Sequence, residues 1–267
     1  MKHRWIVPGL LGLAVAAAPL AQAQDTAQKV VECMRANVPQ RLAIKSLELT
    51  SYDRTGGTRT LKGRMFMSKE TGTRPGGLIS ASLYIDLPAE LKGAAYLVKE
   101  TDDYLRDGMF VYLPAVKRVR RVTGTFADGA LMGTNFSYFD FKQLQNAFSD
   151  LAVKEEGKSE VNQRPAHVLA FNVLEGTETR YTGGRLWVDE EACVVVKAEF
   201  NEGAKLVKSF TTPQGSLRKA AGIWYLAEVE MVEPGMGTRT IARIARLDTK
   251  ADIPRRHFDP NAFHLSQ

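Results

Sequence analysis

From Leu42 to Leu247 the chain is a succession of short segments in which apolar and polar residues alternate, separated by turns rich in Gly, Pro, Asn and Asp. A period of two marks half-buried β-strands, and it argues against both a helical bundle and a parallel α/β sheet. The clearest case is Leu78–Leu87. Ile79, Ala81, Leu83 and Ile85 face one way, Ser80, Ser82, Tyr84 and Asp86 the other, and Pro88 closes the run. Further strands are expected over Leu42–Tyr52, Thr58–Lys69, Ala94–Lys99, Gly108–Leu113, Ala166–Leu174, Gly184–Val188, Ala192–Asn201, Leu206–Thr212, Ile223–Glu233 and Thr238–Leu247. Connections such as Gly56-Gly57, Asn201-Glu202-Gly203 and Pro234-Gly235 are short, which argues for antiparallel hairpins. No linker interrupts the series, so one large curved sheet is expected rather than two sandwiches.

Met109, Val111 and Leu113 alternate with Phe110 and Tyr112, so this strand is apolar on both faces. Such a strand is buried on both faces, and a helix, a loop or a ligand must cover the second one. One helix is expected over Ala27–Asn37, capped by Asp25 or Thr26, striped by Ala27, Val30, Met34 and Val38, and stopped by Pro39. Phe136–Phe148 reads as partly helical, and Phe258 and Phe263 of the tail are expected to dock on the sheet.

Lys2 and Arg4 precede an apolar run from Ile6 to Leu20, and Ala21-Gln22-Ala23 fits a small-x-small cleavage pattern. Residues 1–23 therefore read as a cleaved signal peptide and residues 24–267 as a single mature domain in a bacterial periplasm. The alternative is a membrane anchor, against which stand the short run and its interruption by Pro8, Gly9, Gly12 and Pro19. Loss of Lys2 and Arg4 lowers the formal charge from +6 to +4, a scattered excess that fits a solvated surface. Cys33 and Cys193 remain. They are either a disulfide, as the compartment favours, or two buried thiols, and the lack of C-x-x-C argues against a redox role.

Catalytic patterns are missing: no H-E-x-x-H, G-x-S-x-G, P-loop or G-x-G-x-x-G occurs. His167, His257 and His264 lack the spacing and neighbours of a metal site, and Asp140 near Ser137 has no base partner by spacing. The expectation is a protein that is not an enzyme and uses neither cofactor nor metal.

The stretch Tyr112–Leu144 stands apart. Lys117, Arg118, Arg120 and Arg121 crowd into five residues, then a Gly-containing segment leads to the aromatic run Asn135-Phe136-Ser137-Tyr138-Phe139-Asp140-Phe141. The cations read either as a charged edge strand that blocks sheet-to-sheet pairing or as a binding surface. Export and the shortness of the run argue against nucleic acid.

The order L-P-x-x-K-R-x-R-R, then M-G-x-N-F-S-Y-x-D-F, then W-V-D-E-E and a closing F-x-P-N-x-F resembles the outer-membrane lipoprotein-sorting protein family, whose fold is LolA-like. The residues that match its central motif are Pro114, Lys117, Arg118, Arg120, Arg121, Gly133, Asn135, Phe136, Ser137, Tyr138 and Asp140. The resemblance implies a mainly β (α+β) fold. Its strongly curved antiparallel sheet forms an unclosed half-barrel, with N-terminal and mid-chain helices and a loop over the concave face. It also implies a carrier of a lipid or lipid-modified protein, a monomer that works with an inner-membrane transporter of the lipid-exporting type. Acyl chains are then expected against Met65, Phe66, Leu83, Ile85, Phe110, Tyr112, Val196, Phe136 and Tyr138. A headgroup or partner is expected at Lys117, Arg118, Arg120, Arg121, Asn135 and Asp140. The loop Phe126–Tyr138, with Gly129 and Gly133, would be a lid. A second reading is a sensor or scaffold that binds a protein through the same concave face.

Overall fold

The computed structural model describes residues 18–145, 147–148 and 151–266, with side chains from residue 26 onward. Residues 1–17 of the expected signal peptide lie outside the described residues. In chain order the elements are α1 (Ala18–Asn37), β1 (Arg41–Tyr52), β2 (Thr58–Glu70), β3 (Leu78–Leu87), β4 (Ala95–Lys99), β5 (Gly108–Leu113), β6 (Arg118–Arg121), α2 (Tyr138–Gln145), β7 (Leu151–Val161), β8 (Arg164–Val173), β9 (Gly183–Asp189), β10 (Val195–Glu202), β11 (Lys205–Thr211), β12 (Leu217–Ala220), β13 (Ile223–Leu226), β14 (Glu228–Glu233) and β15 (Thr238–Asp248).

Among the described residues thirteen strands form one open antiparallel sheet in the order β6-β5-β4-β3-β2-β1-β15-β14-β11-β10-β9-β8-β7, and β12 pairs with β13 in a separate two-stranded sheet. The sheet is an unclosed half-barrel with helices over one face. Its edges are β6 and β7. Arg118, Arg120 and Arg121 are exposed on β6, so the basic run does form a charged edge strand. Because β6 and β7 flank residues 122–150, that connection starts at one edge of the sheet and ends at the other. It crosses the helix-covered face, where Leu131, Phe136, Phe139 and Phe141 are buried in the main core.

Three strand expectations are corrected. The stretch Ile223–Glu233 is two strands, β13 and β14, broken at Ala227, whose N–H bonds the Ser216 carbonyl. β7 and β12 were not anticipated: β7 carries Lys154, Glu155, Glu156 and Lys158 along an edge, and β12 is short and mostly exposed.

A bulge keeps β1 useful along its whole length. Ile44 pairs with Met65 but Leu47 with Gly63, so β1 spends one extra residue and its inward parity changes there. Leu42 and Ile44 before the bulge, and Leu47 and Leu49 after it, therefore line the same cavity. Gly63 is required at this crossing, since a Cβ there would lie 2.1 Å from the Tyr84 carbonyl oxygen.

Three contacts fix the C-terminal end of α1. Cys33 and Cys193 are joined in a disulfide that links α1 to the turn before β10. Arg35, 1% exposed, forks onto both carboxylate oxygens of Glu100 at 3.1 and 3.0 Å. Asn37 donates to the Trp224 carbonyl at 2.9 Å and accepts from its N–H at 3.1 Å.

The opposite face of β2–β5 is sealed by the C-terminal tail. Ile253, Phe258 and Phe263 pack with Tyr84, Ala95 and Leu97 in a second core. The Tyr84 hydroxyl donates to the Phe263 carbonyl at 3.1 Å and lies 3.0 Å from His257 Nδ1.

Candidate functional site

A cavity of about 240 Å³ lies between the helix-covered face of the sheet, the end of α1, and the crossing connection. Its walls are apolar almost throughout. Met34 comes from α1 and Val38 from the residue after it, Leu49 and Met67 from the first strands, Phe141 from α2, and Phe210, Val229 and Ala242 from the far half of the sheet. Trp224 and Asn37 stand in the same lining, where the two bonds between them hold β13 against α1. An apolar hollow among such residues offers dispersion contacts and dehydration to a hydrocarbon chain, and nothing to an ion.

Of the nine residues expected against an acyl chain, Met65 and Phe136 line this cavity. Leu83 and Ile85 are buried in the core that surrounds it without reaching it. Tyr138 opens α2, its ring tilted against that of Tyr96 with centroids 5.0 Å apart, and the Tyr96 hydroxyl donates to the Tyr138 carbonyl at 2.9 Å. The placement of Phe66, Phe110 and Tyr112 in one hollow with the others is corrected: all three pack on the second core, beneath the tail. Val196 sits at the irregularity between Val195 and Lys197 in β10, and its neighbour Val195 reaches the cavity instead. The two faces of a strand meet different surroundings here, so alternation alone does not assign both to one hollow. The lining residues that the sequence did not single out, among them Leu42, Ile44, Leu49, Phe210 and Val229, sit in ordinary alternating strands. Only the sheet order brings them opposite one another.

A second depression of about 680 Å³ opens at one end of the same face, between the turn after β1, the turn after β14, and the crossing connection. It is polar. Arg59, Arg180, Lys208, Asp128, Glu233 and Asn135 are among its lining. Asn135 and Asp140, expected to be open contacts, are instead built into the protein. The Asn135 amide donates to Glu233 Oε2 at 2.9 Å and Thr238 Oγ1 at 2.7 Å, and its oxygen accepts from Thr240 Oγ1 at 2.9 Å. Ser137 caps α2, its Oγ accepting the Asp140 N–H at 3.0 Å, and Asp140 accepts the Ser137 N–H in return at 2.7 Å while pairing with the buried Lys208 ammonium at 2.7 Å. Breaking one partner of such a buried pair costs about 3–5 kcal/mol, which gives this motif residue a structural reason for its place. Burial, with Asp140 nearby, pushes the Tyr181 hydroxyl well above the ordinary range. Burial does the same to Tyr96, so neither tyrosine is a base. The basic edge lies elsewhere: Lys117, Arg118, Arg120 and Arg121 are exposed to solvent, and so is Phe126, at 77%.

Among the described residues no group of three or more His, Cys, Asp or Glu is placed to hold a metal, and no helix is long and apolar enough to cross a membrane.

Residues 80–264 match the model of a family described as an uncharacterized protein of the DUF1329-like type. No curated protein sequence matches the chain. Several solved structures share its fold. A DUF1329 family protein from Desulfovibrio piger superposes with a TM-score of 0.79 at 21% identity, covering 91% of this chain and 98% of its own. A putative outer membrane lipoprotein-sorting protein domain from Vibrio parahaemolyticus gives 0.79 at 18%, covering 90% and 99%. A LolA superfamily protein from Nitrosomonas europaea gives 0.67 at 16%, covering 87% and 97%. At these identities the likeness is one of fold.

Proposed function

The chain belongs to the DUF1329-like family whose model spans residues 80–264, and from that membership and the roofed cavity we propose that it is a periplasmic carrier for a lipid or a lipid-modified protein. The observation that carries the reading is the apolar cavity of about 240 Å³ under α1 and the crossing connection. Ten methylenes buried there contribute about 8 kcal/mol, the free energy of a micromolar complex before the cost of immobilising the chain. Affinity of that order needs no polar chemistry, which agrees with a lining that has almost none.

In this reading residues 24–267 act as one exported unit without catalytic chemistry. Met65 and Phe136 touch the acyl chain, and Leu83 and Ile85 hold the wall behind it. The loop of residues 126–138 is the movable part of the roof. The edge strand with Arg118, Arg120 and Arg121, together with Lys117, meets an anionic surface or a lipid-exporting transporter of the inner membrane. Phe126, exposed in the connection that follows β6, adds an apolar contact.

The test is direct. Protein purified from a periplasmic extract is denatured and its organic extract analysed by mass spectrometry, and the emptied protein is titrated with a fluorescent fatty-acyl probe. A co-purifying lipid or saturable probe uptake is expected. A protein that is empty and takes up no probe overturns the reading.

A further inference from the structure

The face beneath the roof changes character along the strands, and on five of them it does so at the same or adjacent levels of the pairing register. On β1 the cavity residues Leu47 and Leu49 are followed, two residues on, by Ser51 in the polar depression. On β2 the inward series reads Met67, Met65, Gly63, Leu61, then Arg59. On β11 Phe210 lines the cavity and Lys208 the depression, and on β14 Val229 lines the cavity and Glu233 the depression. On β15 Ala242 gives way, through the buried Thr240, to Thr238. Side chains two apart on a strand share a face and lie about 7 Å from one another. Five strands therefore pass from hydrocarbon to polar within one or two such steps.

The crossing connection stands on the boundary. Leu131 and Phe136 face the cavity, while Ala130, Thr134 and Asn135 face the depression. Gly133 matters at this point: its φ is +80°, and a Cβ there would lie 2.6 Å from Arg59 Nη1. Glycine allows both the turn and the close approach of the guanidinium.

The charges of the depression are not equally committed. Asp53 accepts the N–H groups of Thr55 and Gly57, and Asp128 accepts from Thr179 Oγ1 and the Arg180 N–H. Glu233 is shared by Asn135, Arg180 and Lys208. The acids thus have donors of the protein's own. Arg59 is the loosely held cation: it makes a 3.4 Å bond to the Met132 carbonyl and a 4.0 Å contact to the exposed Glu90.

Resting on the carrier reading, we propose that the depression is a headgroup compartment: the protein takes an amphiphile laid along the strands, its hydrocarbon chain in the cavity and one anionic head, a phosphate or a carboxylate, against Arg59. The polarity step on the strands sets the direction of the ligand, head toward the turns after β1 and β14. The fork of Arg59 supplies the two parallel N–H donors that either anion accepts.

Three ligands of equal chain length separate the claims: dodecyl phosphate, dodecanoate and dodecanol, each titrated by displacement of a fluorescent acyl probe from the mature protein. The expected result is that dodecanol binds, that at least one anion binds about tenfold more tightly, and that the better anion names the head. Arg59→Gln is expected to remove that advantage and leave dodecanol within about twofold of the parent, and Arg59→Lys to keep part of it. Dodecanol binding with no anionic advantage, or an advantage untouched by Arg59→Gln, overturns the headgroup compartment and leaves the carrier reading standing. Failure of all three ligands to bind overturns both.

Discussion

The two faces of the sheet are made of the same kinds of residue and end in opposite states. Under the tail, Tyr84, Leu97, Phe258 and Phe263 interlock as buried neighbours. Under α1 and the crossing connection, Leu49, Met67, Phe210 and Ala242 surround unfilled space. Both coverings are apolar, so composition does not separate them. Their surroundings do: the tail is tied to its strands through Tyr84, whereas α1, packed through Ala27 and Val30 and fixed at its C-terminal end by Cys33, Arg35 and Asn37, borders the cavity that Met34 and Asn37 line. Apolar alternation says that a face is dry; it does not say whether that face is full.

The contrast can be broken most severely on the sealed side. Phe263→Ala removes a fully buried ring and is expected to cost about 3–5 kcal/mol in denaturant unfolding, with acyl-probe affinity of the folded fraction unchanged. Loss of probe binding in step with stability would mean that the faces are not independent. Replacing Cys33 and Cys193 together by Ser opens a loop of 160 residues and is expected to cost about 2–5 kcal/mol, this time with weakened probe binding because α1 loses an anchor. On the hollow side, Ala242→Phe fills existing space. Its stability is expected to change by less than about 1 kcal/mol while probe affinity drops about tenfold or more. Undiminished binding would place the acyl site elsewhere.

The smallest effect is a pH response confined to the tail. Burial, then Arg256 and Arg64, holds the His257 imidazole below its ordinary value of 6.5. The folded protein thus binds that proton less readily than the unfolded chain. The stabilisation is complete above pH 6.5 and declines as pH falls from there toward the lowered folded value. Thermal melts between about pH 7.5 and about pH 5 are expected to show a decline that His257→Gln flattens. An identical decline in the variant would assign it to other groups.

The strands most legible in sequence are those bounded by turn residues and regular throughout: β3 and β5 coincide with their expected limits. Legibility fails where the backbone departs from strict pairing. The irregularity at Val196 reverses which of two valines reaches the cavity, because one extra residue exchanges the faces of a strand. β7 is hard to see in sequence since an edge strand buries little and carries charge. The site is half legible. Met65 and Phe136 stand out through pattern and motif, but Phe210, Val229 and Ala242 belong to it only because β15 lies beside β1, a neighbour relation that no local window contains. Asn135 and Asp140 are marked as special by the motif, yet their side chains bind the protein to itself rather than to a ligand.

That pairing of β15 with β1 has a consequence for assembly. The first half of the sheet, residues 41–121, is a run of nearest-neighbour hairpins, and its inner margin is β1, whose partners Arg239 to Asp248 belong to the last strand described in the chain. Until they arrive, β1 presents a ladder of unsatisfied amides and carbonyls flanked by Leu47 and Leu49, a site where a second molecule's strand would add as readily as the correct one. Closure of so distant a contact is slow, so nascent or refolding chains at high concentration will aggregate through this seam. Truncation before Thr238 would leave it permanently unzipped.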